Sequence, residues 1–320
     1  MHKLFYLLKL IRFNNLLITA VIQIFIKLYL VNAYLSNSAL SNINFSIYLI
    51  ALISIIAGGY IINDIYDIEI DKINRPDSRI VEQKIKKENA KLLYYGLNMI
   101  GVFSGFYASN QIGKTWYGII FIFFIFSLWK YSSHYKGSFL IGNFQIAFLT
   151  SLSIINIIIF DLIPIGIQTQ DGSKIIAYII FSYAAFAFLT TLIREIIKNL
   201  EDIEGDKKIG LNTLAINYGI VKTKNIITLL IIITIIGIAY FQYFQYSVLN
   251  SIFSVTLLYW GVNTISVLYT ILVQIMLIIL LVIINRANTV SEFHFSSIIC
   301  KIIMLIGGTS IPLFYCLHIN

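Results

Sequence analysis

The chain has 320 residues, of which 58% are hydrophobic and only 12% charged, with a formal net charge of +8. A soluble domain carries about a quarter charged residues, so a soluble protein is excluded. A nucleic-acid binder is excluded too, because the positive balance reads as the positive-inside bias of a membrane chain.

Repeated apolar runs, each able to cross ~30 Å of hydrocarbon, make this a polytopic, all-α transmembrane bundle of about nine helices. No alternating strand pattern suggests a barrel, and backbone groups in lipid need the internal pairing that a helix supplies. From the N-terminus, a basic amphipathic stretch from His2 to Arg12 reads as an interfacial helix, with no cleavage site after it. Spans follow near 14–34, 45–63, 90–110, 115–133, 139–160, 175–193, 225–245, 263–285 and 297–317. The segment 248–260 reads as re-entrant or as a tenth span, with a break at Gly261-Val262-Asn263. Cys300 and Cys316 lie in the last apolar region and read as packing residues. No linker divides the chain, so residues 1–320 read as a single transmembrane domain.

Lys and Arg settle the expected orientation. With the N-terminus inside, the cytoplasmic segments collect residues from Lys3 through Lys72, Lys136 and Lys224 to Arg286, and the opposite side keeps only Lys114 and Lys174. The expected location is the cytoplasmic membrane.

The chain has 15 Asp and Glu residues, and most fall in two windows at the ends of the second and sixth spans. The first reads Asn63-Asp64-x-x-Asp67-x-x-x-Asp71, continuing to Asn74-Arg75-Pro76, and the second Arg194-Glu195-x-x-Lys198-Asn199-x-x-Asp202-x-x-x-Asp206. At about 100° per residue on a helix, Asn63, Asp64, Asp67 and Asp71 fall within about 100° of one another. Glu195, Asn199, Asp202 and Asp206 fall within about 60°. The acids Glu69, Asp77, Glu82, Glu88, Glu201 and Glu204 read as solvated loop charges.

A carboxylate stripe repels itself without a counter-ion. Hard oxygen donors suit Mg2+, which takes one or two carboxylates and fills its shell with water and phosphate oxygens. Two such stripes would hold Mg2+ around a diphosphate, with Arg75, Arg194 and Lys198 adding fixed positive charge as a C–O bond breaks. An ion-coupled transporter is the alternative from another class, disfavoured because these acids sit at span ends and not at the midplane.

With its Asn63–Pro76 and Arg194–Asp206 runs, the latter followed by Gly210 and Thr213-Leu214, the chain resembles the UbiA superfamily of intramembrane prenyltransferases. The resemblance implies a nine-helix bundle around a cavity open to lipid, capped by cytoplasmic loop helices. It implies Mg2+ at Asn63, Asp64, Asp67, Asp71, Glu195, Asn199, Asp202 and Asp206. An isoprenyl diphosphate would be held by Arg12, Asn63, Arg75, Arg194 and Lys198, with Asp64, Asp67, Asp202 and Lys198 serving the chemistry. Arg12, followed by Asn14 and Asn15, matches the place where family members carry basic residues.

The second run is similar to the geranylgeranylglycerol-phosphate geranylgeranyltransferase branch, which implies a lipophilic acceptor bearing a phosphate. Loop lysines Lys84, Lys86 and Lys87 are candidates to bind that phosphate. The sequence departs from the branch at Asn199, where Asp is usual, and at Ile80 after Arg79, where Pro is usual. Asn at the former place is similar to menaquinone-type members, so an aromatic quinone precursor stays open as acceptor. Tyr60, Tyr66 and Tyr183 read as packing residues with faces that could meet a cation, and His134 as a solvated loop histidine.

Overall fold

A computed structural model describes residues 2–35, 37–74, 79–166, 171–244 and 263–319. Within these it is helical with no strand. The helices are α1 (His2–Leu10), α2 (Phe13–Ile26, extended by a π-helical turn, Lys27–Val31), α3 (Asn42–Tyr66) and α4 (Ile68–Asn74). Then come α5 (Lys87–Gln111), α6 (Ile119–Lys130), α7 (Ile141–Ile157, extended by a π-helical turn, Ile158–Leu162) and α8 (Asp171–Glu201). The last are α9 (Ile203–Ile209), α10 (Leu214–Phe244), α11 (Thr264–Arg286) and α12 (Val290–Ile319). The segment 248–260, Gly261, Val262 and Arg75 lie outside the described residues, while Asn263 caps α11, its Oδ1 accepting from the Ile265 amide at 2.9 Å.

Eight helical segments among the described residues are long and apolar enough to cross a membrane, and the chain is a multi-pass membrane protein. The expected third span corresponds to α5, which has the length but is less apolar, with Lys87, Glu88, Lys91 and Asn98 along it. It packs most extensively against α3. Gly101 makes that approach possible: a Cβ there would stand 2.5 Å from Ile55 Cγ1 and 3.2 Å from the Ala51 carbonyl oxygen. Small residues at helix seams do this work in membranes, where lipid is as apolar as the packing surface.

The bundle closes through a chain of neighbours. α2 lies against α3 and α12, α3 against α5 and α6, and α7 against α8, while α8 also touches α10 and α12, and α11 packs on α10 and α12. α10 bends at Gly219, whose φ of 73° and ψ of 170° suit glycine. A buried ion pair ties the end remote from Arg12: Lys27 Nζ lies 2.5 Å from Asp161 Oδ2 and also donates to the Leu40 carbonyl at 2.7 Å, while Asp161 Oδ1 accepts from the Leu40 amide at 2.8 Å. Both partners lie in the π-helical turns, about 22 Å along the helix from Arg12 in the case of Lys27.

At the other end, Leu10, Ile61, Ile65, Ile80, Val81 and Ala90 form a small core that joins α1, α3, α5 and the strand-free loop before α5. Beside it the short helices α4 and α9 touch one another. Each carries the last Asp of one of the two acidic motifs, Asp71 in α4 and Asp206 in α9.

Candidate active site

The two motifs share one local structure, and it differs from the unbroken helix that the spacing suggests. α3 ends at Tyr66, and Asp67, at φ −83° and ψ 2°, turns the chain into α4. α8 ends at Glu201, and Asp202, at φ −95° and ψ 5°, turns it into α9. Both lie in the sparsely populated bridge region, common among active-site residues. The hydrogen-bond ladder runs on through each break: Asp67 and Asp202 each donate to the carbonyl four residues back at 2.9 Å, and their own carbonyls accept from Asp71 at 2.8 Å and Asp206 at 3.0 Å. No Pro stands at either bend, and Pro76 comes nine residues after Asp67, so the sequence signal stays helical on both sides while the backbone bends.

The two bends face a common cavity of about 530 Å³. Asn63, Asp64, Asp67 and Asp71 line it from α3 and α4, and Arg194, Glu195, Lys198, Asn199, Asp202 and Asp206 from α8 and α9. Arg12 lines it from the junction of α1 and α2. Every residue that the two motifs and the Arg12 position offered for Mg2+ or diphosphate within the described chain therefore lines this one cavity. Glu69, Glu82, Glu88, Glu201 and Glu204 stay off the cavity: Glu69 pairs with Lys72 at 2.6 Å and Glu201 with His294 at 2.9 Å. His134 is exposed and bonds Ser133.

Each motif is threaded with cations. Arg12 has a left-handed backbone (φ 51°, ψ 54°), a conformation rare outside glycine. It sends Nη2 to Asp64 Oδ1 at 3.1 Å and lays its guanidinium 4.8 Å over the Tyr60 ring centroid. Asp67 is 3% exposed, accepts from Asn63 Nδ2 at 2.5 Å and pairs with Lys136. On the opposite wall Glu195 Oε1 accepts from both Arg194 Nη1 and Lys198 Nζ at 3.1 Å. Asn199 Nδ2 donates to Asn143 Oδ1 at 3.1 Å. The Asp206 carboxyl is pushed up to about 6, first by burial and then by the charges of Asp202 and Asp67, against the pull of Lys136.

Four residues of the site carry no periodic signal in the sequence: Lys136, Asn143, Arg79 and Lys301. Arg79 Nε and Nη1 and Arg194 Nε are buried with no hydrogen-bond partner among the described residues. Such orphaned guanidinium groups beside a cavity fit an anionic ligand. Tyr60 also lines the cavity, whereas Tyr66 accepts from Trp129 Nε1 at 3.3 Å outside it and Tyr183 meets Ser310 Oγ at 2.6 Å.

No three His, Cys, Asp or Glu side chains among the described residues stand close enough to form a protein-only metal cage. The donor set is one of carboxylates and amides spread over two walls. That set fits Mg2+, which is held by few protein ligands and shared with substrate phosphates. Away from the charged end the cavity is walled by Ile18, Ile56, Ile146, Leu149, Met304 and Leu305.

The model of the UbiA prenyltransferase family matches residues 24–297. The chain belongs to this family. Over 183 residues it is 34% identical to digeranylgeranylglyceryl phosphate synthase of Sulfurisphaera tokodaii, a match covering 56% of this chain and 60% of the relative. The chain thus spans less than two thirds of that relative's length. A solved structure described as giving structural and mechanistic insights into digeranylgeranylglyceryl phosphate synthase in membranes superposes with a TM-score of 0.61 at 25% identity, covering 98% of this chain and 99% of the other. A UbiA homologue from Archaeoglobus fulgidus, solved bound to DMAPP and Mg2+, gives a TM-score of 0.55 at 15% identity, covering 96% and 99%, a likeness of fold.

Proposed function

We propose that this UbiA-family protein is a Mg2+-dependent prenyltransferase that moves an isoprenyl group, geranylgeranyl, from its diphosphate to geranylgeranylglyceryl phosphate. The observation that carries this reading is the meeting of two Asn/Asp motifs across one cavity, charged at one end and apolar beyond. The similarity to digeranylgeranylglyceryl phosphate synthases supports the choice of acceptor. The whole chain acts as one domain, with its N-terminus and the acidic loops on the cytoplasmic side, as the Lys and Arg distribution suggests.

Asn63, Asp64, Asp67 and Asp71 would hold Mg2+ from one wall, and Asn199, Asp202 and Asp206, with Glu195 behind them, from the other. When bound, Mg2+ supplies Lewis-acid neutralisation of the diphosphate charge. Arg12, Arg75, Arg194 and Lys198 fix the diphosphate oxygens, and Arg79, whose buried Nε and Nη1 have no partner among the described residues, joins them. The apolar wall takes the isoprenyl chain. Tyr60 lines the same cavity and holds the Arg12 guanidinium over its ring, where Arg12 can meet the diphosphate. α4 and α9, which touch one another beside the charged end, would serve to keep water from it. The C–O bond of the donor breaks, diphosphate leaves, and a new ether C–O bond forms to the acceptor hydroxyl, whose proton departs with the diphosphate.

The test is an assay of purified protein in detergent with labelled geranylgeranyl diphosphate. Geranylgeranylglyceryl phosphate, 4-hydroxybenzoate and 1,4-dihydroxy-2-naphthoate are offered separately, each with Mg2+ and with EDTA. A Mg2+-dependent ether formed from the glycerol phosphate alone is the expected result. A prenylated ring would move the protein to quinone-precursor chemistry, and no product from any acceptor would overturn the reading.

A further inference from the structure

An acceptor that carries a phosphate brings a second anionic group into a cavity already built for a diphosphate. Its head needs cations of its own. The loop lysines do not provide them: Lys84 Nζ lies 5.7 Å from the Tyr6 ring centroid, Lys86 is exposed, and Lys87 sits on an outer groove with Tyr94 and Trp129. None of the three lines the central cavity.

Lys301 does. It is the one Lys or Arg in α12, an apolar helix packed on α2, α8 and α11. A charged side chain inside such a span is costly and marks a functional position. Its hydrogen bond is to a neutral group, Asn15 Oδ1, at 2.7 Å. No carboxylate lies within ion-pair distance of it among the described residues, and the charge that bears on it is that of Arg194, of like sign. Arg194 in turn leaves a buried Nε without a partner among the described residues. Two cations therefore share the α8–α12 wall without a full complement of acids, whereas Asp64 and Asp67 across the cavity have Arg12 and Lys136. Met304 and Leu305, one turn further along α12, carry the same wall into the apolar part of the cavity. A cationic head with an apolar wall beside it matches an amphiphile with a phosphate head.

We propose that Lys301, held by Asn15, binds the phosphate of the acceptor and so selects a phosphate-bearing lipid over its neutral counterpart. This assignment rests on the prenyl-transfer reading given above.

The experiment compares wild type, Lys301→Met and Lys301→Arg, as full-length protein in detergent with Mg2+ and geranylgeranyl diphosphate. The two acceptors are geranylgeranylglyceryl phosphate and the same alcohol without its phosphate. Loss of one charge-assisted contact is expected to raise the KM for the phosphate acceptor about tenfold or more. The KM for geranylgeranyl diphosphate is expected to stay within twofold, and the gap between the two acceptors to close. Lys301→Arg, which keeps the charge, is expected to restore most of the discrimination. Mg2+-dependent binding of an unreactive thio-analogue of the donor, with unchanged Kd, shows that the Met variant keeps a folded cavity. An unchanged acceptor KM, or donor and acceptor KM rising together, overturns the assignment while leaving prenyl transfer intact. A wild-type protein that prenylates only an aromatic ring overturns the function and this assignment with it.

Discussion

At Asp67 three demands meet: the end of a transmembrane helix, a backbone bend, and a carboxylate held between Asn63 and Lys136. Asp202 occupies the corresponding place on the other wall. Asp67→Asn and Asp202→Asn should each lower kcat for prenyl transfer about 100-fold, the scale of losing one preorganised charge contact. Glu69→Gln, off the cavity, should stay within about twofold of wild type; activity of both Asp variants near the wild-type level would sink the metal assignment. Asp206 offers a pH test. With its carboxyl raised to about 6, it favours the fold in its protonated form, so that contribution is complete below about pH 4 and is lost as the pH rises through 6. In EDTA, Asp206→Asn should therefore gain about 2–4 °C in melting midpoint over wild type at pH 7.5, roughly half of that at pH 5 and little at pH 4. A difference independent of pH would refute this. The motif residues were legible because oxygen-bearing side chains recur at helical spacing in a chain poor in charge. Lys136, Asn143, Arg79 and Lys301 were not, because each is a solitary residue that only the packing of distant segments brings to the cavity.

Among the elements, α5 and the two Asp bends separate what pattern reading reaches from what it misses. The apolar period marks α3 and α8 as helices, but no Pro or Gly announces the turns at Asp67 and Asp202. The bends coincide with the packing of α4 on α9, a tertiary contact to which local propensity is blind. The α3–α5 seam gives a sharper check. Gly101→Ala would force its Cβ against Ile55 and the Ala51 carbonyl, an overpacking cost of about 1–3 kcal/mol. A lowered thermal midpoint in detergent with unchanged substrate KM is expected, since the seam lies behind the cavity wall; a loss of donor affinity without loss of stability would contradict this.

Over the whole molecule, composition alone gave a polytopic bundle, because only helices satisfy backbone groups in lipid. It could not say which helices are neighbours, nor that Lys27 and Asp161 pair between α2 and α7. That pair is 1% and 0% exposed, and it holds the α2–α3 connection through Leu40. Breaking it by Lys27→Met should destabilise the protein by about 3–5 kcal/mol, since a buried carboxylate is left uncompensated. The double variant Lys27→Met/Asp161→Leu should lose less than Lys27→Met, and a larger loss in the double variant would argue against the pair as a unit. Thermal unfolding in detergent reads both.

The apolar wall formed by Ile18 of α2 with Met304 and Leu305 of α12 has a kinetic consequence. An amphiphile that reaches the cavity past these helices is dissolved in the bilayer and not in water. Its effective supply is then a surface mole fraction. In mixed micelles, diluting the acceptor with inert detergent at fixed bulk concentration should slow the reaction as if substrate had been withdrawn. Rates plotted against mole fraction should fall on one curve, whatever the volume of the surrounding buffer.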